Sequence, residues 1–324
     1  MLIPEYTITS HILTNIAAIE YSKAVIDNTV IFPNWEKQMQ KEAEILFIES
    51  LLQSLGKRVE QSVIKTHVDS LNSFKLGDPD ITGLGNAMEL SEIISGNLDL
   101  GEDDLKEIYK TFGSGPSLYR QTKLPERAAP EEILAKTVEF MDWYNSLDAR
   151  ETHPVIRAGI LRAYLELLSP FENKNTWLAA IVGLLSLKAN GYDIRGYLCL
   201  ESYFESNKRE YSRAFSSVKE DDFTQWLEFY TLAFSSTVTN LKEKVVLLSR
   251  DTKVAKASGK ADLTDRQQRI IEYLQDYGSI QNRNFPMLFP SISEDSVLRD
   301  IKVLLDKGII TKIGKTKSSR YELK

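Results

Sequence analysis

The 324-residue chain is short of the side chains that most often carry chemistry. It holds one cysteine, Cys199, and three histidines, His11, His67 and His153. A single cysteine excludes an intramolecular disulfide, and its apolar neighbours make Cys199 a buried thiol rather than a nucleophile. The histidines are widely separated and none has ligand spacing, so surface or hydrogen-bonded roles are expected and a metal centre is not. No apolar run reaches the roughly 18 residues that a membrane-spanning helix needs. The first residues, MLIPEYTITSH, lack the basic-then-apolar order of a secretory leader. Together these absences lead to the expectation of a soluble chain with no membrane contact, in the cytoplasm.

What is present is an ordinary mixture, 42% hydrophobic and 27% charged, long enough for two domains. The net charge of −6 is unevenly spread. Residues 1–240 hold 23 basic and 35 acidic side chains, residues 241–262 hold 6 and 3, and residues 263–324 hold 11 and 8. An acidic body with a mildly basic tail confines any nucleic-acid contact to the tail. A solvated, charge-mixed surface accounts for the same distribution.

Most segments read as helix, with apolar residues recurring at three and four, as in Ile12, Ile16 and Ile19 or Leu161, Tyr164, Leu165 and Leu168. Thr9 or Ser10 suits the first N-cap, and Gly191 in KANGYD suits a helix C-cap. Loops are marked by KLGDPD at 75–80 and FGSGPS at 112–117. The string from Phe223 to Leu248 reads as one long helix. After it, SRDTKVAKASGKAD (249–262) is polar and small, which places a linker there and divides the chain into domains 1–248 and 263–324.

The tail has its own pattern. LTDRQQRIIEYLQDYG carries Thr264 as N-cap, Ile270, Ile271 and Leu274 inside, and Gly278 after the last turn. A short helix over about 281–288 follows. A third helix begins at Ser293 with Glu294 and Asp295 in its first turn, and presents Val297, Ile301, Leu304 and Leu305 on one face up to Gly308. IITKIGKTKSSRYEL then alternates like a hairpin around Gly314 to Ser319. Three helices and a two-stranded wing resemble a winged helix-turn-helix domain, in which the third helix enters the major groove and the wing touches phosphate. Arg299 and Lys302 on that helix, with Lys315, Lys317 and Arg320 on the wing, are the candidate DNA contacts. Against this stand Asp295 and Asp300 on the same helix, and the use of such domains for protein docking or dimerisation.

The segment SPFENKNTWLAA, Ser169 to Ala180, resembles the pattern HxFx(D/E)GNGRxxR of the Fic (Fido) family, whose members transfer AMP or a related group onto hydroxyl side chains. Only Phe171 and Asn175 match. The flanks follow the family's order: GNAMEL (85–90), LGEDDLKEIYKTF (100–112), Tyr119 with Arg120, LPERAAPEEILAKTVEFMDWYN (124–145), HPVIRAGILRAYLEL (153–167), LAAIVGLLSLKANGYD (178–193), and the closing group Leu200, Ser202, Tyr203, Phe204, Asn207 and Tyr211. The resemblance covers about residues 1–240, with a core at about 85–240. It implies a mainly α fold, a Fic-type helical domain followed by the small winged helix-turn-helix domain.

The departures lie at the positions that perform the family's chemistry. Ser169 stands where the resemblance puts a histidine general base, a proton acceptor that a hydroxyl cannot replace near neutral pH. Asn173 stands for the magnesium-binding acid, and hard divalent cations prefer carboxylates to amides. Lys174 and Thr176 replace two glycines of the phosphate-cradling backbone. Trp177 and Ala180 replace two phosphate-binding arginines. Only QTKL separates Arg120 from Pro125, so the target-docking hairpin of the family is missing. The family's inhibitory helix is reduced to IAAIEY, which keeps Glu20.

These departures imply a pseudoenzyme, a regulatory or binding module with a protein partner or DNA, and with no cofactor. The alternative is a protein adenylyltransferase that uses ATP with magnesium and takes Glu172 as metal ligand or base. Asn175 is retained either to cap its loop or to touch phosphate. Asn175, Asn207 and Tyr211 are the candidates for a residual nucleotide pocket. Trp143, Tyr144, Tyr164 and Trp177 read as core packing.

Overall fold

The computed structural model describes residues 4–69, 78–96, 99–113, 115, 118–125, 127–218, 222–257, 263–290, 292–314 and 319–323. Lys315 and Lys317, residues 75–77, 114, 116 and 117 of the two expected loops, and residues 258–262 of the expected linker lie outside them. The chain is mainly α, as its periodicity predicts. Along the described residues it runs α1 (Ser10–Asp27), α2 (Pro33–Ser54), α3 (Gln61–Asp69), α4 (Pro79–Ile94), α5 (Glu102–Thr111), α6 (Ile133–Asn145), α7 (Leu147–Glu151), α8 (Pro154–Leu168), α9 (Asn175–Ala189), α10 (Leu200–Ser206), α11 (Lys208–Ser216), α12 (Thr224–Ala257), α13 (Asp265–Tyr277), α14 (Phe285–Leu288), α15 (Glu294–Asp306), β1 (Ile310–Ile313) and β2 (Arg320–Leu323). Two compact units result, one of Met1–Thr29 with Glu36–Val245 and one of Val30–Trp35 with Val246–Lys324.

In the first unit, α8 and α9 pack directly on one another. Both are apolar on nearly every side, with Ile160, Leu161, Leu165, Leu178, Val182 and Leu187 almost fully buried, and a helix of that kind must be enclosed by others. Gly159 admits α12, since a Cβ there would lie 2.8 Å from the Tyr230 ring. The Trp226 indole donates to the Gly159 carbonyl at 2.8 Å across the same approach. On α4, a Cβ at Gly83 would meet the Thr111 carbonyl at 2.8 Å, so the end of α5 lies hard against α4. The four aromatic residues read as core are buried, and Phe140 stacks on Tyr164 with centroids 3.8 Å apart.

Local signals hold at the helix ends. The Thr9 hydroxyl accepts from the Ile12 amide at 3.3 Å. Past α9, Gly191 takes φ +73° while the amides of Gly191 and Tyr192 return to the Lys188 and Leu187 carbonyls at 2.9 and 2.8 Å, a Schellman turn. The expected end of the long helix moves. It continues to Ala257, into the stretch read as linker, because Ser249–Ala257 contains neither glycine nor proline to break it.

The second unit closes its own core. Ile270, Leu274, Phe285, Val297, Ile301 and Leu304 from α13–α15 are buried with Ile310 and Tyr321 of the hairpin. Strands β1 and β2 pair antiparallel from Ile310 with Leu323 to Ile313 with Arg320. Ile280 adds an antiparallel bridge to Tyr321, an edge that alternation within the hairpin did not foretell. Thr264 forms a capping box with Gln267, its hydroxyl accepting from the Gln267 amide at 3.3 Å. Ser293 occupies the N-cap of α15, but its hydroxyl meets the Ser296 hydroxyl at 2.9 Å instead of a backbone amide.

Candidate functional site

The loop between α8 and α9 is fixed at both ends by left-handed residues. Ser169 ends α8 with φ 46° and Lys174 opens α9 with φ 52°, conformations that cost a non-glycine residue about 1–2 kcal/mol. The surroundings offset that cost. Phe171 is fully buried, stacked on Tyr109 with centroids 3.9 Å apart and on Tyr119 at 5.7 Å. The Asn175 amide closes the loop on itself, accepting from the Phe171 amide at 2.9 Å and donating to the Phe171 carbonyl at 2.7 Å. In this structure Asn175 is the loop's internal cap.

Arg120 supplies the second clamp. Its side chain is fully buried and donates to the carbonyls of Ser169 (2.7 Å), Thr122 (2.7 Å), Ala128 (2.5 Å) and Leu168 (3.4 Å). The guanidinium thereby satisfies the last turn of α8, where the helix dipole favours a cation. Its own amide donates to the Pro170 carbonyl at 3.0 Å. The short QTKL segment is held from the other side by Glu172. That carboxylate is exposed and accepts from the Gln121 and Thr122 amides at 2.7 and 3.2 Å. The Gln121 amide, with the hydroxyl and amide of Thr122, holds the Glu172 carboxyl below its usual range. A carboxylate so stabilised is a poor proton acceptor.

The charge at Lys174 is neutralised within the fold. Its ammonium donates to Asp80 Oδ1 at 2.7 Å and to the Phe112 carbonyl at 2.9 Å, and lies 4.8 Å over the Trp177 ring. Lys57 pairs with the other oxygen of Asp80. Burial alone would push the Asp80 carboxyl up, but the hydrogen-bonded ammonium groups of Lys174 and Lys57 outweigh it and hold it low. Trp177 is fully buried, donates its indole N–H to the Leu51 carbonyl of α2 at 2.7 Å and meets Phe112 edge-on at 5.6 Å. Ala180 is buried beside a cavity of about 20 Å³, roughly one water in size, lined also by Arg162, Glu201 and Tyr230.

The magnesium that the Fic resemblance implies does not fit these residues. Asn173 offers a neutral oxygen that accepts from the Tyr109 hydroxyl at 3.2 Å, and its neighbour is the Lys174 ammonium. The Ser169 hydroxyl donates to the Glu166 carbonyl at 2.8 Å. Tyr211 reaches the same end of α8, donating to Glu166 Oε2 at 2.6 Å, and burial followed by the Glu166 charge pushes its phenol far up. The Asn207 amide instead turns back to the Tyr203 carbonyl at 2.8 Å. Each of the three residues named for a residual pocket has its side chain bonded to another residue of the chain. Glu20, from the eroded inhibitory pattern, meets His153 Nε2 at 3.1 Å and the Tyr192 hydroxyl at 2.7 Å. His153 caps the start of α8, so Glu20 lies a helix length, about 22 Å, from the end at Ser169.

One buried pair was not anticipated from the sequence. Arg162 donates to both oxygens of Glu201 at 2.7 and 3.0 Å, and its guanidinium lies 4.9 Å over Phe204. Burial pushes the Glu201 carboxyl up while Arg162 opposes the shift. The available signal is Arg162 in the largely apolar helix VIRAGILRAYLELL, since a charge on a buried helix needs a partner.

In the second unit, Arg299 and Lys302 are exposed on α15, and neither holds a hydrogen bond or ion pair among the described residues. Asp300, set against phosphate binding in the sequence, points inward. It is 5% exposed, accepts from the Gln267 amide at 3.0 Å and pairs with Arg266. Asp295 remains exposed in the first turn. Arg320 is paired with Glu322 at 2.7 Å on β2.

No family model matches the sequence, and no curated protein does. Solved structures do match. A Fic family protein from Desulfovibrio desulfuricans G20 is 16% identical, with a TM-score of 0.65 over 100% of this chain and 98% of that one. Fic-1 of C. elegans, residues 134–508, is 12% identical, with a TM-score of 0.57 over 72% of this chain and 71% of that one. A Fic domain containing signaling protein from Bacteroides thetaiotaomicron is 17% identical, with a TM-score of 0.55 over 75% of this chain and 98% of that one. At such identities it is the backbone that is shared, and the chain has a Fic-type fold.

Proposed function

We propose that this Fic-fold chain is a pseudoenzyme, a regulatory or binding module that contacts DNA through its C-terminal unit. One observation carries the loss of chemistry: at the positions of the base, the metal acid, one cradle glycine and one clamp arginine, the chain has groups already bonded within the fold. Ser169 is bonded to Glu166, Asn173 to Tyr109, Lys174 to Asp80 and Trp177 to Leu51. A phosphate chain gains nothing from donors that must first leave such partners. The order of α13–α15, β1 and β2, with Arg299 and Lys302 exposed on α15, supports a winged helix whose third helix meets the phosphate backbone.

The first test is catalytic. The purified chain is incubated with labelled ATP, magnesium, manganese and a cell lysate, and no labelled protein is expected. Transfer that disappears in Asn175→Ala or Glu172→Gln would establish the adenylyltransferase reading and overturn this one. The DNA half is tested separately, by gel shift on random duplexes across a salt series. Binding that weakens steeply with salt is expected, and salt-independent binding or none would remove it.

A further inference from the structure

The outer face of α6 is an unpartnered apolar strip between carboxylates. Leu134 and Val138, one turn apart, are 50% and 40% exposed, and Ala135 beside them is exposed as well. Glu131 precedes this strip by a turn and Asp142 follows it by a turn, with Glu139 at its side. These six side chains line one shallow open depression, and no lysine or arginine is among them. Glu131 and Asp142 hold no hydrogen bond or ion pair among the described residues, whereas the nearest basic residue on the helix, Lys136, pairs with Glu132 on another side.

Two costs coincide on this face. Half-exposed leucine and valine side chains lose the gain of burial, about 25 cal/mol for each Å² left in water. Unpaired carboxylates at both ends of the strip add to the self-repulsion of an acidic unit. A single class of partner relieves both. We propose that the α6 face docks a basic amphipathic helix of another protein, its apolar residues spaced at three and four over Leu134 and Val138 and its lysines or arginines over Glu131 and Asp142. A helix fits because α6 here offers side-chain ridges and no free strand edge. The inference is independent of the DNA reading, and it gives a protein-binding role a surface.

The probe is a synthetic 14-residue helical peptide with leucines at three-and-four spacing and lysines elsewhere, dye-labelled and titrated into the full chain by fluorescence anisotropy. The control peptide carries glutamate at every lysine position. The lysine peptide is expected to bind, less tightly as salt rises, and the glutamate peptide is not. Leu134→Asp is the deciding variant, because it adds negative charge while removing apolar area. A fall of roughly tenfold or more in affinity supports docking. Unchanged or tighter binding means general attraction to an acidic body and overturns it. Glu131→Lys with Asp142→Lys, at exposed positions that leave the apolar strip intact, should also weaken the lysine peptide and admit the glutamate peptide. No binding at all, or a wild-type dimer that Leu134→Asp converts to monomer, overturns the proposal, the second outcome assigning the face to another copy of the chain.

Discussion

The loop between α8 and α9 and the outer side of α15 treat their polar groups in opposite ways. In the loop, Lys174, Asn175, Trp177 and the adjoining Arg120 direct their donors to Asp80, Phe171, Leu51 and four carbonyls of the chain itself. On α15, Arg299 and Lys302 stand in solvent with no described partner. A donor satisfied inside the fold holds one conformation and has nothing left for a ligand, whereas a solvated cation is held by water that a phosphate readily replaces. The Fic-type loop here holds packed helices together, and the DNA contact proposed for α15 falls where the cations remain solvated.

The strongest test of the loop's structural role is Trp177. Trp177→Ala leaves a void where a fully buried ring stood and removes the indole donor to the Leu51 carbonyl, with an expected loss of about 3–5 kcal/mol in urea unfolding. Trp177→Arg restores the residue type of a phosphate clamp, yet it places an unpaired charge at the same buried point and should be at least as damaging. An arginine variant that keeps wild-type stability and takes up ATP would break the comparison, since the loop would then still be a phosphate site.

Next in size is the Lys174–Asp80–Lys57 cluster. Asp80→Asn is expected to cost about 2 kcal/mol, the scale of a hydrogen bond to a charged group. The dependence on pH has a definite sign. The Asp80 carboxyl is held lower in the folded chain than in the unfolded one, so the unfolded chain takes up that proton first as pH falls. Its contribution is full above about pH 4, the ordinary aspartate value, and is lost as pH drops through the lower folded value. Urea midpoints of wild type and Asp80→Asn should therefore differ by a constant amount from pH 7 to about pH 4 and converge below it. A gap that closes near neutrality would mean the lysines do not stabilise the charged carboxylate.

The sequence showed local chemistry well and long-range partners poorly. Thr9, Thr264 and Gly191 act where capping rules put them, because a cap depends on residues within one turn. Phe171 and Asn175, the two retained letters of the motif, do mark a loop held by its own side chains. By contrast Lys174 reads as a stray positive charge until Asp80, 94 residues earlier, is brought beside it. Trp177 reads as a lost arginine, and only the distant Leu51 carbonyl gives it a structural role. Asp300 misled for the same reason, since no local rule reveals that Arg266 and Gln267 turn it inward. The long helix runs past Ser249 because a small polar composition does not end a helix that meets no breaker before Gly259.

The smallest expected effects belong to α15, and they sharpen the comparison within one unit. Arg299→Ala and Lys302→Ala should each weaken duplex binding severalfold regardless of sequence. Each should also lower the slope of log affinity against log salt by about 1, because one phosphate fewer is neutralised and its counterion stays on the DNA. Unfolding midpoints should barely move, because exposed side chains without partners contribute little to stability. Arg266 is the matched control. It is an arginine of the same unit, but it is engaged by the buried Asp300, so Arg266→Ala should leave the salt slope unchanged while destabilising the chain. A slope that falls equally for Arg266 and Arg299 would show that DNA responds only to the unit's net charge, and the distinction between engaged and solvated cations would have no functional meaning there.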